Sequence, residues 1–187
     1  MKKLIFALIA SVAAMSAAQA QPTGYIGLGV ASSDHNFNAG SGISSDPEGF
    51  KPNAKIFGGV NLSPTWAVEA GYTDIRKADH AFSVAGVPGT ATTDGNRSYV
   101  AAKATMPLND KFGVYGKLGV GYSKVNVSSA TPFASGSDSK TEAYAALGGE
   151  YNINEKVALS MEYERYGKKK DFGAKADAIT VAAKYNF

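Results

Sequence analysis

Ile179-Thr180-Val181-Ala182-Ala183-Lys184-Tyr185-Asn186-Phe187 closes the chain, and in it every second side chain is apolar while the intervening ones are small or polar. That is the period of a β-strand. Chain ends in water usually fray, so an alternating strand that runs to a final phenylalanine points to an outward face that meets lipid.

The other end supports an exported chain. Met1-Lys2-Lys3 is followed by Leu4 to Ala18 with almost no polar residue and then by the small-x-small sequence Ala18-Gln19-Ala20. This predicts a signal peptide over residues 1–20, cleaved to leave a mature chain of residues 21–187. Its apolar core is shorter than the ~20 residues a membrane-spanning helix needs.

Lys and Arg number 19 against 16 Asp and Glu, and removing Lys2 and Lys3 leaves 17 against 16, a net charge of +1. Such a balance offers nucleic acid no electrostatic footprint. The absence of cysteine excludes disulfides, thiol catalysis and thiolate metal sites. Hydrophobic residues make up 44% of the chain, yet beyond residue 20 no stretch approaches 18 consecutive apolar residues. A closed β-barrel is the remaining way to cross a bilayer. The 21 glycines and 11% aromatic residues favour strands and turns over a helical bundle.

Alternation divides the mature chain into segments at roughly 24–33, 51–62, 65–76, 96–107, 111–125, 139–152, 156–167 and 176–187. At ~3.3 Å rise per residue and ~40° tilt, each covers the ~25 Å apolar band of an outer-membrane barrel. Short connections at 61–65, 106–111 and 152–155 alternate with long polar ones at 34–50, 77–95, 126–138 and 168–175. Pro47, Pro64, Pro88, Pro107 and Pro132 are expected in or beside connections, where a missing N–H breaks no ladder bond. The predicted fold is all-β, an eight-stranded antiparallel up-and-down transmembrane β-barrel with periplasmic termini and four external loops.

Placing Ile26, Leu28 and Val30 toward lipid puts Tyr25, Gly27 and Gly29 inside. The same phase turns Val68, Leu118, Val120, Met161, Val181, Tyr185 and Phe187 outward. The inward phase gathers Lys55, Lys103, Lys117 and Lys184 with Glu69, Glu142, Glu150, Glu162 and Glu164. Charges in so narrow a lumen should pair, because an unpaired buried charge is strongly destabilising. Two readings stand: a salt-bridged plug, or a gated ion path in which pairs such as Glu69 with Lys103, or Lys117 with Glu162, exchange partners.

The segments Val68-Glu69-Ala70-Gly71-Tyr72, Ala101-Ala102-Lys103, Val114-Tyr115-Gly116-Lys117-Leu118-Gly119, Leu147-Gly148-Gly149-Glu150-Tyr151 and Met161-Glu162-Tyr163-Glu164-Arg165-Tyr166-Gly167 resemble, in order and spacing, the OmpA transmembrane domain and small OmpX-like barrels. The resemblance covers essentially the whole mature chain and is to the transmembrane barrel domain only. It implies a central network at Glu69, Lys103, Lys117, Glu150 and Glu162, and a C-terminal insertion signal at Tyr185 and Phe187 read by the barrel-insertion machinery. Where that network would have an arginine, two residues before Glu162, this chain has Ser160, so Glu150 is expected to lean on Lys103 alone.

His35 and His80 fall in expected loops with no acid or serine at a fixed strand offset, so no enzyme and no catalytic residue is predicted. No metal ligand and no cofactor are predicted either. Arg165 with Lys168, Lys169 and Lys170 would meet lipopolysaccharide phosphates where the seventh strand leaves the bilayer. The expected function is a monomeric outer-membrane anchor whose loops meet lipopolysaccharide and an extracellular or host ligand. The alternative is a narrow porin for ions or small solutes.

Overall fold

The structure, a computed structural model, describes residues 23–33, 35–37, 51–84, 87–129, 136–167, 172–174 and 176–187. The predicted signal peptide, Pro47, Pro132 and Lys168 to Lys170 lie outside them. Alternating sequence becomes strand throughout: β1 (Gly24–Ser33), β2 (His35–Phe37), β3 (Lys51–Asn61), β4 (Trp66–Val84), β5 (Val87–Pro107), β6 (Phe112–Ser129), β7 (Gly136–Asn152), β8 (Val157–Tyr166), β9 (Phe172–Ala174) and β10 (Asp177–Asn186). Eight of these close an antiparallel barrel in the order β1-β10-β8-β7-β6-β5-β4-β3, while β2 and β9 pair with each other.

Closure rests on the two end strands. β1 and β10 pair from Tyr25 opposite Asn186 to Ser32 opposite Ile179, and the Phe187 N–H donates to the Gly24 carbonyl at 2.9 Å. The seam leaves the barrel without an unpaired edge in the membrane.

Register sets the tilt. Stepping across paired residues from Asn96 on β5 through Asp74, Ala54, Val30, Val181, Met161, Gly149 and Val114 returns to β5 at Met106, ten residues away. A stagger of ten over eight strands corresponds to a tilt of about 40° at ordinary strand rise and spacing.

Three tight turns share one construction. Ser63 Oγ accepts the N–H groups of Thr65 (3.3 Å) and Trp66 (3.0 Å), Asn109 Oδ1 those of Lys111 (2.9 Å) and Phe112 (2.8 Å), and Asn154 Oδ1 those of Lys156 (2.9 Å) and Val157 (2.8 Å). A short polar side chain thus satisfies two donors the ladder cannot reach.

At the opposite end the strands run further than the sequence periodicity predicts. β4 and β5 stay paired to Val84 opposite Val87, so most of the expected loop at 77–95 is a hairpin. β6 and β7 continue to Val127 opposite Gly136. A register shift between Ile75 and Ala78 marks where barrel gives way to hairpin. Above the bilayer a ladder needs no apolar outward face, so the polar composition of these segments concealed them. Pro88 lies inside β5 opposite Ser83, close to the hairpin tip.

Candidate functional site

Inward-facing positions of the barrel strands collect buried charge. Lys55 on β3, Glu69 on β4, Arg97 and Lys103 on β5, Lys117 on β6, Glu162 and Glu164 on β8 and Lys184 on β10 are all buried, and the Glu150 side chain on β7 is 10% exposed. Lys117 Nζ bridges Glu69 Oε1 (2.6 Å) and Glu162 Oε2 (2.5 Å). Lys55 Nζ bridges Glu162 Oε1 (2.5 Å) and Glu164 Oε1 (2.7 Å). Nearer the turns, Glu150 receives Lys184 at 2.5 Å and Lys103 at 3.3 Å.

Tyrosines occupy the remaining acceptor positions. Glu69 accepts the hydroxyls of Tyr25 (2.8 Å) and Tyr99. Glu162 accepts Tyr115 (3.1 Å), and Glu164 accepts Tyr144 (3.1 Å), Tyr166 (3.0 Å) and Thr180. Buried ion pairs persist only when their other lone pairs are hydrogen-bonded in this way. The rings lie flat because glycine faces them across the ladder: Phe57 over Gly27, Tyr25 over Gly59, Tyr99 over Gly71 and Tyr115 over Gly148, where an added Cβ would overlap the ring. Tyr99 and Tyr144 stack at 4.2 Å, and the Arg97 guanidinium sits 5.0 Å from the Tyr166 ring.

Of the residues expected at the centre, Glu69, Lys117 and Glu162 form one bridged chain, and Lys103 joins Glu150 in a separate group. Glu69 and Lys103 are not an ion pair here; Lys117 takes the place beside Glu69. Glu150 does not lean on Lys103 alone, since Lys184 supplies the shorter contact. Ser160 is buried and facing inward. Lys55, Glu164 and Lys184, inward on periodicity but unassigned to the network, are full members of it. Arg97 and the tyrosine hydroxyls escaped sequence reasoning, although Arg97, Tyr99 and Lys103 share one phase of β5. Arg165 is exposed, with Nη1 3.3 Å from Asp177 Oδ1. Among the described residues no group of three His, Cys, Asp or Glu is gathered to hold a metal.

The outer surface is the reverse. Leu28, Leu118 and Leu147 are 64%, 73% and 71% exposed. Trp66, Phe112, Tyr185 and Phe187 ring the turn end, and Tyr72, Tyr122 and Tyr163 the other. No outward-facing residue between the rings is charged among the described residues. Phe112 and Tyr122 are ten residues apart on β6, which at ~40° tilt spans about 25 Å of hydrocarbon.

The chain matches the family model of the outer membrane protein beta-barrel domain over residues 4–187. It belongs to that family. This outer-membrane barrel resides in the bacterial outer membrane, and its relatives by fold are small barrels of the same kind. Ail of Yersinia pestis, solved with the heparin analogue sucrose octasulfate, is 21% identical with a TM-score of 0.58, covering 89% of this barrel and 99% of Ail. OprG of Pseudomonas aeruginosa is 14% identical with a TM-score of 0.57, covering 89% and 96%. The N-terminal barrel of Pseudomonas aeruginosa OprF is 15% identical with a TM-score of 0.54, covering 89% and 100%. At these identities the likeness is one of fold. No curated protein matches the barrel by sequence.

Proposed function

We propose that this outer-membrane barrel is a closed anchor whose external hairpins and loops are its interaction surface. The observation that carries the reading is the filled lumen: each ammonium of Lys55, Lys103, Lys117 and Lys184 lies against a carboxylate, and tyrosine rings occupy the space between. Outside, the β4–β5 and β6–β7 hairpins supply paired backbone on which a ligand could rest. Ail, of similar fold, was solved with a heparin analogue, which makes a sulfated oligosaccharide a reasonable first probe of these loops. Arg165 with Lys168, Lys169 and Lys170 is assigned to lipopolysaccharide phosphate, Tyr185 and Phe187 to the insertion signal, and residues 1–20 to a cleaved signal peptide.

The test is electrical. Folded protein in planar bilayers is expected to give no single-channel steps. Stable steps altered by Lys103→Ala or Glu69→Ala would establish the narrow porin instead.

A further inference from the structure

At the turn end the apolar surface reaches the last rung of the ladder. The Leu62 N–H donates to the Trp66 carbonyl at 2.8 Å, the Leu108 N–H to the Phe112 carbonyl at 2.8 Å and the Ile153 N–H to the Val157 carbonyl at 2.9 Å. Leu62, Leu108 and Ile153 are exposed, as are Trp66 and Phe112. A turn that meets water is ordinarily polar at these positions. The aliphatic and aromatic side chains of the last rung therefore place the hydrocarbon boundary there, and only three residues of each turn project into the headgroups.

Two of the three projections carry charge, and in the same order. They read Asn109-Asp110-Lys111 and Asn154-Glu155-Lys156, against Ser63-Pro64-Thr65 in the first turn. The asparagine caps fix both turns. Each is also pinned from the neighbouring strand, since the Asn152 N–H donates to the Lys111 carbonyl at 2.8 Å and the Asn186 N–H to the Lys156 carbonyl at 2.7 Å. Asp110, Lys111, Glu155 and Lys156 are exposed, and none of them enters an ion pair with another described residue. The acid is the middle residue of its turn, furthest from the hydrocarbon, and the lysine returns toward it.

We propose that each of these two turns is a socket for a zwitterionic phospholipid headgroup bearing a primary ammonium, with Lys111 and Lys156 on the phosphate and Asp110 and Glu155 on the ammonium. The order of charges matches, because in such a lipid the phosphate lies next to the acyl chains and the ammonium beyond it. A primary ammonium donates hydrogen bonds to a carboxylate, whereas a trimethylammonium has no N–H to donate and a glycerol headgroup brings no positive charge. The turns are fixed before lipid arrives, so little chain entropy is lost on binding. This site is separate from the external loops and does not depend on whether the lumen is closed.

Trp66 is the single tryptophan of the chain. Trp66→Phe with Phe112→Trp moves the reporter next to Lys111, and Trp66→Phe with Val157→Trp moves it next to Lys156, so that one serves where the other fails to fold. Each barrel is folded into phosphatidylcholine vesicles and checked by its unheated gel mobility. Its fluorescence is then quenched by a minor fraction of phosphatidylethanolamine, phosphatidylcholine or phosphatidylglycerol, brominated on the acyl chain near the headgroup. The expected result is an association with the ethanolamine lipid about three-fold stronger than with either of the others, the size that two interfacial ion pairs supply. Asp110→Asn or Lys111→Gln in the first reporter, and Glu155→Gln or Lys156→Gln in the second, should abolish that preference. Equal quenching by the three lipids, a parent barrel that prefers the anionic lipid, or a preference that survives these substitutions overturns the sockets.

Discussion

Lys117 touches two carboxylates at once and is 2% exposed, so its removal leaves Glu69 without an ion-pair partner and Glu162 with Lys55 alone. Truncating one member of such a buried group costs about 3–5 kcal/mol, because the partner keeps its desolvation penalty without its attraction. Lys117→Met should therefore lower the unfolding free energy in urea titrations by that amount, and adding Glu69→Gln to it should recover part of the loss. A Lys117→Met barrel as stable as wild type would mean that the Tyr25 and Tyr99 hydroxyls on Glu69 and Lys55 on Glu162 satisfy the two carboxylates without it. The position is readable from sequence, since Lys117 sits in the inward phase of its strand. Its partners are not, because period two says which face a side chain takes and nothing about what stands opposite across the lumen.

At the scale of the strand, β6 crosses the whole apolar band with Val114, Leu118, Val120 and Tyr122 outward and Tyr115, Lys117 and Ser123 inward. Leu118→Arg places a charge against the hydrocarbon near its middle and should cost about 2–4 kcal/mol and slow folding into bilayers. Ser137→Arg, on the exposed start of β7 beyond the membrane, should leave folding rate and stability unchanged. Equal effects at the two sites would overturn the face assignment. The membrane-spanning part of each strand was legible because lipid imposes alternation on it. The extensions of β4 to Val84 and of β7 back to Gly136 were not, because in water on both faces a hairpin is held by its ladder and leaves no apolar signature.

Across the whole molecule, stability depends on closure and on a charge network shielded from solvent ions. Raising ionic strength from about 0.05 to about 0.5 M screens exposed pairs such as Arg165 with Asp177 but reaches buried ones little. The urea midpoint should accordingly stay nearly constant over that range; a steep fall would show that salt enters the lumen. By itself the sequence determined that the chain is a barrel, which residues meet lipid and, Arg97 apart, which charges lie inside, because alternation is a local property that a bilayer enforces on every strand. Only the tertiary structure decided that Lys55 meets Glu162, 107 residues away, that Lys184 shares Glu150 with Lys103, and that Tyr25 and Tyr115 donate their hydroxyls to Glu69 and Glu162. Those contacts follow from strand stagger and barrel closure, which no single strand encodes.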